Sequence, residues 1–152
     1  MTYCVGLKLD RGLVFMSDTR TNAGVDNISV FRKMFLWEIE GERSMTLMTA
    51  GNLATTQAVV SLLNERAKPA EERGAPSILE APSMFQAAKL VGETLREVIA
   101  DQSGAQGPQA DSPFSATLIL AGQVRGGEPR LFLIYPEGNF VEASVDTPFF
   151  QI

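Results

Sequence analysis

Histidine is absent from all 152 residues, and that absence removes a large share of hydrolytic chemistry. A Ser-His-Asp triad, a Cys-His pair and a histidine-ligated metal are all excluded within this chain. A hydrolase built on it must find another base. Cysteine occurs once, as Cys4, so no intrachain disulfide can form. Its place in an apolar stretch predicts a buried, inert thiol. Long apolar runs are also missing: none approaches the roughly 18 residues that span a bilayer. Thirteen basic residues stand against 18 acidic ones, a net charge of −5, and no basic stripe exists to meet nucleic-acid phosphates. The start, MTYCVGLKLDRG, has lysine and aspartate inside its apolar stretch and lacks a basic leader with a small-residue cleavage site. The expectation is a cytoplasmic protein with no nucleic-acid or membrane partner, no metal and no cofactor.

What is present is a chain 45% hydrophobic, enough for a core within one domain over 1–152. Tyr3, Val5, Leu7 and Leu9 alternate with Cys4, Gly6 and Lys8, the period of a strand. Asp10-Arg11-Gly12 reads as a turn, and 13–17 as the returning strand. A hairpin centred near Arg11 pairs residues whose numbers sum to about 22, which carries Asp18 and Arg20 back beside Cys4 and Thr2. After a polar loop over 21–27, strands are predicted over 29–33, 35–40 and 44–49. Asn52 is a good helix N-cap, followed by Leu53, Val59, Leu62 and Leu63 at helical spacing. That helix stops before Pro69, and 69–82 is a charged, Pro-punctuated connection. Ser83-Met84-Phe85-Gln86 has the capping-box pattern for a second helix to about Asp101, with Phe85, Ala88, Val91, Leu95, Val98 and Ile99 as its apolar face. A loop over 102–113 leads to strands over 115–124, 130–135 and 140–145. Strands, two helices, then strands make an α+β order.

Thr2 is the residue with the most chemistry in this sequence. A threonine behind Met1 is small enough for methionine aminopeptidase to remove the first residue. Removal frees an α-amine, of pKa about 7.7–8.0, next to the threonine's own hydroxyl. A Thr paired with its own terminal amine is a known way to activate the hydroxyl. Thr2 can equally be a tolerated start residue.

Three further residues have reasons to sit near it. Lys33 would favour a deprotonated hydroxyl, and Asp18 would neutralise and orient that lysine. Gly51 leaves a strand and starts towards a helix, where backbone N–H groups are free and the dipole favours negative charge. Each also has an ordinary use: Asp18 as a turn residue, Lys33 as a solvated strand-edge charge, Gly51 as a helix-start glycine. Periodicity leaves open whether Arg32 or Lys33 points inward.

Thr2, the run Asp10-Arg11-Gly12-Leu13-Val14, then Ser17-Asp18-Thr19-Arg20-Thr21, Arg32-Lys33-Met34 and Ala50-Gly51-Asn52 together resemble proteasome-type β-subunits, and among these most resemble the bacterial Anbu proteins. The resemblance is densest over 2–52 and continues to the end. It implies an N-terminal nucleophile hydrolase with an αββα sandwich, assembling from copies of itself into rings or ring-like helical turns. It further implies Thr2 as nucleophile, Asp18 and Lys33 as its supporting pair, and Gly51 as oxyanion donor. Thr21 and Asn22 match the segment that pairs with an extended substrate, and Thr49 a wall of the pocket for the side chain before the scissile bond.

Tyr3 departs from the second threonine that many β-subunits carry. The family also continues past the position of Ile152, with further helices and strands and with a serine and an aspartate that support the nucleophile. Residues 1–152 thus match an αββα sandwich incomplete on its C-terminal side. Two helices would cover one face of the sandwich and leave the other sheet face exposed. The functional expectation is a threonine peptidase acting on a peptide or protein by acyl transfer. A ring-forming scaffold with weak or no catalysis, and a small-molecule amidohydrolase of the same chemistry, remain as alternatives.

Overall fold

The computed structural model of the chain describes residues 2–22, 28–104 and 113–152. Of the loop expected over 21–27, residues 21 and 22 are strand instead, and 23–27 lie outside the described residues, as do Met1 and 105–112 of the loop expected over 102–113. Strands β1 (Cys4–Leu9) and β2 (Gly12–Ser17) form the expected hairpin, followed by β3 (Arg20–Asn22), β4 (Ile28–Val30), β5 (Met34–Ile39) and β6 (Arg43–Gly51). Helices α1 (Leu53–Arg66) and α2 (Met84–Ser103) come next, and then β7 (Ala116–Val124), β8 (Arg130–Ile134), β9 (Phe140–Glu142) and β10 (Phe149–Gln151).

These make a five-stranded antiparallel sheet in the order β5-β6-β7-β8-β9, a three-stranded sheet β10-β1-β2, and the small ribbon β3-β4. The residues sort onto the two faces of the large sheet by the two-residue period. Leu118 and Leu120 of β7 pack into the core under the helices, with Met45, Leu47, Val91 and Leu95. Ile119 and Ala121 face the other way, into a second core with Cys4, Met48 and Leu131 between the two sheets. The order from one side to the other is therefore helices, large sheet, small sheet.

Both helices begin as the sequence predicts. Asn52 Oδ1 accepts from the Thr55 N–H at 3.0 Å, and Ser83 Oγ accepts from the Gln86 N–H at 3.2 Å, each satisfying a donor that the first helical turn leaves free. α1 ends two residues short of Lys68-Pro69, where proline disfavours helix in the residue before it. Gly92 of α2 lies so close to the β8–β9 turn that an added Cβ would sit 2.2 Å from the Gly138 carbonyl oxygen. That contact sets the helix tightly on the sheet.

Several expectations need correction. The hairpin register sums to 21 rather than 22: Leu9 pairs with Gly12 and Cys4 with Ser17, because the turn holds only Asp10 and Arg11. Asp18 consequently faces Tyr3. The strand predicted over 29–33 ends at Val30, and that over 140–145 ends at Glu142. Phe85 is 44% exposed; Met84 and Ala87 take the inner face of α2 instead.

The small sheet turns Cys4 and Gly6 inward. A Cβ on Gly6 would meet Leu131 at 3.0 Å and Ile119 and Met48 at 3.3 Å, so glycine lets the two sheets approach. The alternate residues face outward, and Tyr3, Leu9, Val14, Met16 and Phe149 are exposed. The described helices leave this face uncovered, as expected from a pair of helices on one side.

Candidate active site

The hairpin carries Asp18 back to the start of the chain, and the backbone there is fixed on both sides. The Tyr3 N–H donates to Asp18 Oδ1 at 2.9 Å, and the Asp18 N–H donates to the Tyr3 carbonyl at 2.9 Å. On the far side, the Cys4 N–H donates to the Ile152 carbonyl at 2.7 Å. Thr2, half-buried, therefore extends from a segment anchored to β2 and β10. Cys4 is buried, and burial pushes its thiol up to about 11, with the Lys33 charge only partly opposing. It is the inert cysteine the sequence predicts.

Lys33 completes the cluster. Its Nζ donates to Asp18 Oδ1 at 2.8 Å and to the Arg20 carbonyl at 2.5 Å. The lysine side chain is 7% exposed and that of Asp18 31%. Arg32 is exposed, so Lys33 is the inward cation of the pair. The same Asp18 oxygen thus joins the Lys33 ammonium to the amide of the residue after Thr2. Asp18 Oδ2 accepts in addition from the Arg20 N–H at 3.0 Å.

Partial burial pushes the Asp18 carboxyl up, but Lys33 and the Tyr3 and Arg20 amides together outweigh it and bring the carboxyl down to about 2. An unfolded aspartate titrates at about 3.9. A lowered folded pKa means that Asp18 adds stability above pH ~4 and loses it as the pH falls towards 2. Acid melts should therefore show wild type losing more stability than Asp18→Asn between pH 5 and 2. Parallel curves would remove this role from Asp18.

Gly51 ends β6, the strand that also carries Thr49. Thr49 donates its N–H to the Lys33 carbonyl at 2.9 Å. Backbone directions repeat every second residue along a strand, so the Gly51 N–H points to the same side. The ladder to β5 has already ended there, at the pair Met34–Met48. Asn52, one residue on, points oppositely and donates to Ser115 at 2.9 Å. Gly51 holds φ +108°, and a Cβ there would lie 2.5 Å from the Ser115 carbonyl oxygen. Both facts demand glycine.

Thr49 is buried, and its Oγ1 lies 3.5 Å from the Lys33 carbonyl. Thr21 pairs with Ser29, and Asn22 with Ile28, in the β3–β4 ribbon that begins at Arg20. The structure thus joins Asp18 and Lys33 directly, with the Thr2 segment and Thr49 bonded to one or the other. The more evident clefts lie elsewhere. One of about 330 Å³ is lined by Arg66, Ser77, Gln86 and Glu93, and one of about 830 Å³ by Lys8, Arg11 and Pro148. Sequence reasoning missed the Arg20 carbonyl as a lysine acceptor and the Tyr3 amide as the link to Asp18. Backbone groups carry no residue-type signal, so nothing in the sequence could have shown them.

The chain thus stacks two antiparallel sheets with helices against one of them, and ties a buried lysine, through a partly exposed aspartate, to the start of the first strand. No protein-family model matches the chain, and no curated protein does. Solved structures match closely. Anbu, the ancestral beta-subunit, from Yersinia bercovieri is 51% identical with a TM-score of 0.89, over 99% of this chain and 60% of that one. Anbu from Hyphomicrobium sp. strain MC1 is 50% identical with a TM-score of 0.85, over 99% and 60%. The helical assembly of the Anbu complex from Pseudomonas aeruginosa is 48% identical with a TM-score of 0.88, again over 99% and 60%. The chain belongs to the proteasome-type β-subunit family, in its Anbu branch, and spans 60% of the length of these relatives.

Proposed function

We propose that the chain is the N-terminal and central part of a threonine hydrolase of the N-terminal nucleophile type, cleaving peptide bonds through Thr2 after loss of Met1. The observation that carries this reading is the single Asp18 oxygen joining the buried Lys33 ammonium to the amide that follows Thr2. In the proposed reaction Thr2 Oγ adds to the substrate carbonyl carbon, and its proton passes to the Thr2 α-amine. Lys33 lowers the cost of the developing alkoxide, and Asp18 holds Lys33 in place. The Gly51 N–H receives the oxyanion, a contact of about 3 kcal/mol where such donors have been deleted. The protonated amine then gives its proton to the leaving nitrogen as the C–N bond breaks, leaving an ester on Thr2. Water adds to that ester, losing its proton to the same amine, and the acid departs with Thr2 restored. No cofactor enters this scheme.

Thr21 and Asn22 would pair with an extended substrate backbone, and Thr49 would wall the pocket for the side chain before the scissile bond. The αββα sandwich of the family is the proposed complete architecture, for which the uncovered face of the small sheet is suited. A homo-oligomer of ring or open-ring type in the cytoplasm, with α1 and α2 at subunit contacts, is part of the same proposal. The helical assembly of the Pseudomonas aeruginosa relative favours it.

Intact mass measures the first requirement directly. The purified protein should lack Met1, and a peptide β-lactone should add its whole mass once, because ring opening leaves no departing group. The rate of addition should rise with pH to a plateau as the α-amine, near 7.7–8.0 in its ordinary state, loses its proton. Retained Met1, or no adduct at any pH, would sink the enzyme reading and leave the ring-forming scaffold.

A further inference from the structure

Three successive carbonyls, those of Pro113, Phe114 and Ser115, are gripped by the start of α1. The Asn52 N–H donates to Ser115 at 2.9 Å, and Asn52 Nδ2 donates to Pro113 at 2.9 Å. Thr55 Oγ1 lies 2.9 Å from the Phe114 oxygen and 2.6 Å from Gln102 Oε1 at the end of α2. A hydroxyl has one proton, so both contacts close when the Gln102 carboxamide turns its nitrogen to Thr55. Thr55 is fully buried. The orientation of Asn52 itself is determined by its partners. Its Oδ1 accepts the Thr55 N–H at 3.0 Å, which leaves Nδ2 to face the Pro113 oxygen.

This grip lies directly behind Gly51. The Ser115 carbonyl and the Ala116 Cα stand 2.5 and 2.8 Å from where a Gly51 Cβ would be, so the 113–115 segment is the wall against which the Gly51 peptide rests. We infer that Asn52 is a positioning residue for the Gly51 N–H: its side chain ties that wall to the helix start and fixes where the oxyanion donor points. The inference rests on the proposed threonine chemistry. Its physical basis is that a misplacement of about 1 Å weakens a hydrogen bond aimed at a transition state enough to slow the reaction severalfold or more.

An ordinary helix cap would need only the Oδ1 acceptor. Asn52→Asp and Asn52→Ser both keep an acceptor for Thr55, and both are good N-cap residues, yet both lack the Nδ2 donor to Pro113. One adds a negative charge and the other does not, so a shared effect is not a charge effect. Addition of the peptide β-lactone to Thr2 should slow about tenfold at saturation in both variants. The half-saturating concentration and the melting temperature should stay as in wild type. Rates within twofold of wild type in both variants would overturn the inference while leaving the threonine chemistry intact. Slower addition accompanied by an equal fall in melting temperature would make Asn52 a helix cap and nothing more. No adduct on the wild-type protein would remove the underlying reading and this one with it.

Discussion

Thr2→Ala should abolish adduct formation with a peptide β-lactone or epoxyketone, from one addition per chain to none detectable. Among the described residues only Thr2 offers a hydroxyl beside a potential free α-amine, since removal of Met1 would free the amine on the residue that already carries the hydroxyl. The fold should be untouched. Thr2 lies outside both hydrophobic cores, and the Tyr3–Asp18 bonds run through backbone atoms and a carboxylate that the substitution leaves in place. Light scattering should report the same assembly for mutant and wild type. An adduct persisting on Cys4 or Ser17 in the mutant would show that the nucleophile has been misassigned. Cys4 makes that outcome a stringent check, since its raised pKa leaves little thiolate at neutral pH.

The second large effect belongs to the cation. Lys33→Ala should slow acylation by about a hundredfold or more, the scale on which positioned proton-transfer support operates. The folded chain should persist, because Asp18 keeps the Tyr3 and Arg20 amides as donors and remains in partial contact with water. Arg32→Ala should change neither rate nor melting temperature. The two substitutions remove the same formal charge one residue apart, so a comparison between them separates the buried ammonium from the general field of the protein. Comparable losses in both would mean that net charge, not the Asp18–Lys33 contact, sets the reactivity.

That comparison also marks where the sequence was legible and where it was not. The helices were readable because their caps, Asn52 and Ser83, are side-chain chemistry, and the residues that follow recur at helical spacing. Most strands were readable from alternation. The inward member of Arg32-Lys33 was not, because those residues lie between β4 and β5, where no strand period applies. The hairpin register slipped by one because Asp10-Arg11-Gly12 accommodates a two- or a three-residue turn, and only cross-strand packing selects between them. β10 escaped notice altogether. Three residues carry too little pattern, and its reason to be a strand is a partner at the other end of the chain, Val5 through Leu7. Asp18 and Lys33 were legible as residue types, whereas the Tyr3 amide and Arg20 carbonyl that tie them to the chain around them were not.

The pairing of β1 with β10 also has a meaning in time. The Cys4 and Ile152 amides exchange hydrogen bonds across nearly the whole stretch described, whereas β1 and β2 are sequence neighbours. A hairpin closes in roughly 1–10 μs, but translation at about 5–20 residues per second needs on the order of ten to thirty seconds to deliver the last partner. Through that interval one edge of β1 is open and the nascent N-terminus is held from one side only. An aminopeptidase working at the ribosome has this window in which to reach Met1. Removal of Met1 within that window would expose the proposed nucleophile on a chain whose first strand has not yet been locked in place, so that maturation would precede closure rather than follow it.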